Sequence, residues 1–125
     1  MLGKYALMAF VSTAEPATGR AFYEEKLGLT VTSVDDYGVM YDAGGTTLRM
    51  SFVRELHPAP YSILSWMVRD IHSVMKGLKA KGVVFEMYEG LGQDEAGVWT
   101  APGGTKVAWF KDPGGNLLSL SEING

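Results

Sequence analysis

The chain contains no cysteine, which excludes disulfides, thiolate nucleophiles and cysteine-ligated metals. It has two histidines, His57 and His72, so imidazole chemistry has few places to reside. Basic residues are in deficit: 11 Lys and Arg stand against 14 Asp and Glu, for a formal net charge of -3. That balance lacks the positive field that draws nucleic acid, and no nucleic-acid partner is expected. No apolar run approaches the roughly 18 residues of a membrane span. Leu7–Val11 follows Lys4 but is too short for a signal-peptide core, and no cleavage site follows it. These absences predict a cytoplasmic protein with no membrane partner.

What is present is 125 residues with an ordinary hydrophobic fraction of 46%. That length suits a single domain over 1–125 and is enough to bury a core without staples. Sixteen glycines are scattered along the chain, which reads as many tight turns and therefore many strands.

Tyr5–Val11 predicts a buried strand. Glu15-Pro16 predicts a helix start, since proline is tolerated in the first turn and a carboxylate suits the N-terminus. Ala17, Ala21, Phe22 and Leu27 recur at helical spacing, and Gly28 is a stop. Strands follow at Leu29–Val34, Val39–Asp42 and Thr46–Val53. Arg54–Pro60, with two prolines and His57, reads as a linker. The order then repeats: a strand at Ser62–Val68, a helix from Asp70 to the stop at Gly82, and a strand at Val83–Tyr88. A short extra strand is expected at Val98–Thr100. Lys106–Lys111 and Asn116–Ser121 are strands joined by the Asp112-Pro113-Gly114-Gly115 turn. The helix-start acids Glu15 and Asp70 are 55 residues apart, and the stops Gly28 and Gly82 are 54 apart. The pattern predicts an α+β protein of two βαβββ units, about 1–56 and 61–125. The two are expected to close their open sheet faces around a cleft.

Ala21-Phe22-Tyr23-Glu24-Glu25-Lys26-Leu27-Gly28-Leu29 resembles the first-helix signature of the vicinal oxygen chelate superfamily, which includes glyoxalase I, extradiol dioxygenases and bleomycin-resistance proteins. Val68-Arg69-Asp70-Ile71 with Gly82-Val83 resembles its second helix. Trp109-Phe110-Lys111-Asp112-Pro113-Gly114-Gly115-Asn116 resembles its last hairpin. The resemblance implies a glyoxalase/bleomycin-resistance-like fold with a cleft inside curved mixed sheets. It also implies a homodimer, and either a ligand-binding protein or a metal-dependent lyase, isomerase or oxidoreductase. In metal-dependent members four His, Glu or Gln ligands come from the first and fourth strands of each unit. The matching positions here are Met8, Arg49, Ile63 and Ser119, and none offers an imidazole or carboxylate. No metal and no cofactor is therefore expected.

Alternation predicts the cleft lining. Met8 and Phe10 come from the first strand, Arg49 and Ser51 from the fourth. Ile63, Ser65 and Met67 come from the fifth, and Leu117, Ser119 and Ser121 from the last. Val83, Phe85 and Met87 fit the helix side, which leaves Glu86 and Tyr88 for the cleft. Trp99 reads either as a lid or as hairpin packing. Trp109 and Phe110 face opposite sides in an order the sequence leaves open. Arg49 needs a partner if buried, with Glu55 and Glu86 as candidates; unpaired, it would clamp an anionic ligand. Glu86 and Glu89 make no convincing acid–base pair, and the glycine pairs match no phosphate loop. The expected function is metal-free binding, and sequestration, of a drug or a small acidic or aromatic metabolite; the alternative is a glyoxalase- or dioxygenase-like enzyme with a divalent metal or with unrecognised acid–base residues.

Overall fold

Gly28 (φ 73°) and Gly82 (φ 91°) close the helical segments that precede them, in the left-handed region that only glycine adopts without strain. At the second stop, the Val83 N–H reaches back to the Leu78 carbonyl at 3.1 Å and satisfies one of the helix's last acceptors. The computed structural model describes residues 1–123. The chain divides into two compact units that meet between His57 and Pro58, inside the proline-containing segment.

The first unit begins with a 3-10 turn, Leu2–Lys4. It continues through β1 (Met8–Thr13), α1 (Pro16–Ala21) and a π-helical turn, Phe22–Lys26. It ends with β2 (Thr30–Asp35), β3 (Gly38–Ala43) and β4 (Thr46–Phe52). The sheet order is β1-β4-β3-β2, with β1 parallel to β4 and the other pairs antiparallel. Val11, Leu48, Met50, Tyr41 and Val39 pack on one side of this sheet with Phe22 and Tyr23. Tyr23 stacks on Tyr41, ring centroids 6.2 Å apart. The Tyr41 hydroxyl, which burial forbids from being left alone, donates to Glu24 Oε2 at 2.8 Å. Arg20 Nε donates to the same oxygen at 2.7 Å.

The second unit holds β5 (Leu64–Met67), α2 (Ile71–Ala80), β6 (Trp99–Thr100), β7 (Lys106–Lys111) and β8 (Leu117–Glu122). Its sheet order is β5-β8-β7-β6, with β5 parallel to β8. Asp70 caps α2 by accepting from the Ser73 N–H at 3.2 Å, and Glu122 Oε1 accepts from the Ile71 N–H at 2.9 Å. Ile71, Met75, Phe85, Phe110, Leu118 and Leu120 form the core of this unit.

Both units follow the βαβββ order, and the chain is α+β. Two expectations are corrected. The first strand starts at Met8, and Tyr5 and Leu7 are exposed. The pairing register begins at Met8↔Thr47, so residues before Met8 have no partner strand. Val83–Tyr88 is not a strand: it meets β7 in one bridge, Phe85↔Phe110. Beyond the bridge, two of its backbone groups are taken by a side chain. Gln93 Oε1 accepts from the Tyr88 N–H at 2.6 Å, and Gln93 Nε2 donates to the Glu86 carbonyl at 2.9 Å. The third element of the second repeat is therefore β6, and Met87, expected on the helix side, is exposed.

Candidate functional site

In the first unit the pleat sends Val11, Leu48 and Met50 to the buried side and Met8, Phe10, Arg49 and Ser51 to the other. Phe10 pairs with Arg49, and Ser12 with Ser51. Met8 and Phe10 are 45% and 56% exposed. Arg49 does not pair with Glu55 or Glu86. Its Nη1 and Nη2 donate to Asp35 Oδ2 and Oδ1 at 3.3 and 3.2 Å, a two-pronged ion pair. Glu55 lies beside His57, Oε1 to Nε2 3.2 Å, and Glu86 lies beside Lys111, Oε1 to Nζ 3.5 Å. The Arg49 guanidinium and then the Tyr37 N–H hold the Asp35 carboxyl below the ordinary carboxylate range. The fixed cation of this face therefore carries its own counterion.

In the second unit the register answers the question of Trp109 and Phe110. Phe110 pairs with Leu118 and is fully buried, edge-on to Phe85 with ring centroids 5.5 Å apart. Trp109 pairs with Ser119 on the opposite face. There it meets Tyr88 at 5.6 Å with the rings at 79°, and Trp99 at 6.2 Å. Trp99 is thus packed in the β6–β7 hairpin against Trp109. Ser119 is 3% exposed and shares a hydrogen bond with Ser62, Oγ to Oγ 2.9 Å. Ser65 and Ser121 do the same at 2.6 Å, while Ile63 and Met67 are exposed.

Beside Trp109 lies a hollow of about 440 Å³, open to solvent on one side and lined by Tyr61, Tyr88, Glu89, Leu91, Leu117 and Trp109. Of the lining expected from sequence, Tyr88 and Leu117 reach it. Tyr61, Leu91 and Trp109 were not among the predicted site residues. Trp109 was legible from the hairpin: the Asp112–Asn116 turn pairs Lys111 with Leu117, which sets Phe110 beside Leu118 and turns Trp109 the other way. The loop that carries Glu89 and Leu91 is tied down. Gln93 bridges the Glu86 and Gly97 carbonyls. Asp94 Oδ2 meets His72 Nε2 at 2.8 Å, and Asp94 Oδ1 accepts from the Ala96, Gly97 and Val98 N–H groups. Burial pushes the Asp94 carboxyl up, but the Val98 N–H and then His72 more than offset it, and the net shift is downward. Burial and then the charge of Glu86 raise the Tyr88 hydroxyl, so it stays protonated and hydrogen-bond competent at neutral pH.

The residues present do not fit a divalent metal at the positions the fold would supply. Met8 offers a thioether and Ile63 offers nothing. Arg49 is cationic, and the Ser119 hydroxyl is already engaged. Among the described residues, no three His, Cys, Asp or Glu side chains come together to hold a metal ion. No helix among them is long and apolar enough to cross a membrane.

The chain is similar in fold to a superfamily member from Sphaerobacter thermophilus DSM 20745, "member of Glyoxalase/bleomycin resistance protein/dioxygenase superfamily". The two are 22% identical with a TM-score of 0.74, covering 98% of this chain and 100% of that one. A glyoxalase family protein from Enterococcus faecalis gives 21% identity and a TM-score of 0.72, over 98% and 100% of the two chains. A lactoylglutathione lyase from Agrobacterium tumefaciens gives 15% and 0.73, over 95% and 93%. At these identities the likeness is one of fold. No curated protein matches the chain. The sequence pattern of one family matches residues 6–120, nearly the whole chain, and on that match the chain belongs to the Glyoxalase/Bleomycin resistance protein/Dioxygenase superfamily.

Proposed function

We propose that this protein binds a small aromatic molecule in the hollow beside Trp109 and does so without a divalent metal. The observation that carries this reading is the hollow itself: about 440 Å³, with three aromatic rings and two leucines for walls. A site of that size suits a small ligand, and apolar walls with few polar groups are the usual composition of such sites. The donor chemistry at Met8, Arg49, Ile63 and Ser119 supports the metal-free part. An acidic group on the ligand loses its main support, because Asp35 already matches the charge of Arg49. A homodimer belongs to the same reading, supported by the exposed apolar side chains Phe10 and Met67. Sedimentation velocity at micromolar concentration tests it, and a monomer would remove it.

Isothermal titration against a panel of one- and two-ring aromatic compounds tests the binding reading. At least one compound should bind with micromolar affinity, and Trp109→Leu should weaken it by about tenfold or more. Added zinc, nickel, iron or manganese should leave the affinity unchanged. Stoichiometric metal in freshly purified protein, or metal-dependent turnover of a panel compound, would overturn this reading in favour of an enzyme.

A further inference from the structure

We infer that the ligand of the Trp109 hollow is an organic cation, an ammonium group carried on an aromatic or apolar body. This inference rests on the small-molecule reading above and adds the charge of the ligand. Three ring systems line the hollow: Tyr61, Tyr88 and Trp109. Tyr88 and Trp109 pack edge to face, at 79° with centroids 5.6 Å apart. The face of an aromatic ring carries negative charge density and attracts a cation that reaches it. Among the described residues, Glu89 is the one carboxylate that lines the hollow, and no Lys, Arg or His lines it.

Just outside, Glu86 is paired with Lys111 at 3.5 Å, so that pair adds no net charge, and Glu89 sets the sign at the hollow. A carboxylate ligand entering here would face Glu89 with no cation in the lining to meet it, which is the arrangement that excludes an anion. An ammonium ion would meet aromatic faces and a carboxylate together. Glu89 and Leu91 sit on a segment that Gln93 closes on itself and that Asp94 ties to His72 of α2. The backbone under the carboxylate is thereby held beside the hollow, where its charge can select among ligands.

Three probes on one scaffold separate charge from shape: 2-naphthylmethylammonium, 2-naphthylmethanol and 2-naphthoate, titrated calorimetrically at pH 7. Binding at the hollow is read in parallel from the Trp109 indole N–H resonance. The ammonium should bind about tenfold tighter than the alcohol, and the carboxylate should bind weakest. Glu89→Gln, a change at an exposed position, should weaken the ammonium about fivefold and leave the alcohol within about twofold. Equal binding of ammonium and alcohol, tighter binding of the carboxylate, or an unchanged ammonium affinity in Glu89→Gln would overturn the cation while leaving a small-molecule site in place. If all three probes fail to bind, or bind without moving the Trp109 resonance, the site itself is refuted.

Discussion

Gly38→Ala isolates a steric constraint in the first sheet. Gly38 opens β3 opposite Ser51 of β4. A Cβ built there falls 2.4 Å from the Met50 carbonyl oxygen and 3.0 Å from Nε and Cζ of Arg49. Real Cβ contacts essentially never fall below 3.0 Å, so the strands must part by about 0.6 Å or the guanidinium must leave. The obstacle is backbone in a sheet, which cannot swing aside. Parting the strands lengthens the neighbouring Phe52 N–H to Tyr37 carbonyl bond, now 2.8 Å, past good hydrogen-bond distance. Overpacking of this kind costs about 1–3 kcal/mol and a lost hydrogen bond about 1 more, so the variant should lose about 2–4 kcal/mol. Gly28→Ala is the control. Nothing lies within 4 Å of its Cβ, and only the positive φ of 73° is strained, a cost of about 1–2 kcal/mol. Urea denaturation followed by circular dichroism measures both. If Gly38→Ala loses no more than Gly28→Ala, the close approach of Met50 is not what requires glycine, and the reasoning fails.

The Glu24 carboxyl is held below its usual 4.5, chiefly by the hydrogen bond from Arg20 against the upward pull of burial, with Tyr41 helping. The unfolded chain therefore takes up this proton first as the pH falls. The stabilisation is fully present above about pH 4.5 and is lost as pH drops through the lower folded value. Glu24→Ala, which orphans the buried Tyr41 hydroxyl, should cost about 1–3 kcal/mol at pH 7, and the gap to the parent should narrow between pH 5 and pH 3. A gap that stays constant in urea titrations across that range refutes the charge in the network. At the helix starts, Asp70→Ala should cost about 1 kcal/mol through its lost cap, whereas Glu15 makes no side-chain cap bond and Glu15→Ala should change stability by less than about 0.5 kcal/mol. Equal losses in the two variants, measured by urea midpoints, would overturn that distinction.

Helix ends, turns and the doubled order were legible because each is written locally. A glycine at a left-handed stop, or a proline with two glycines in a turn, needs no distant partner to act. The Arg49 partner was illegible for a definite reason. The β2–β3 register slips between Val31 and Ser33, which reverses the alternation beyond that point and brings Asp35 opposite Gly38. A bulge of one residue cannot be read from a pattern of period two. Val83–Tyr88 has the alternation of a strand, but the Gln93 side chain supplies the partners that a neighbouring strand would have supplied. The hollow was missed in part because Tyr61 and Leu91 lie outside the named strands, where alternation says nothing about direction.

Each sheet is closed by a parallel pairing of its first strand with its last: β1 with β4, and β5 with β8. During synthesis the two halves therefore mature on different schedules. The first sheet has all its strands once Phe52 has left the ribosome. In the second, Leu64–Met67 waits as a lone strand until Leu117–Glu122 emerges, and the first turn of α2 waits too, because its Ile71 N–H is satisfied by Glu122. Non-local closure of this kind is slow, and it leaves the waiting edge open to other chains. Met67, largely exposed even in the finished fold, sits on that waiting strand.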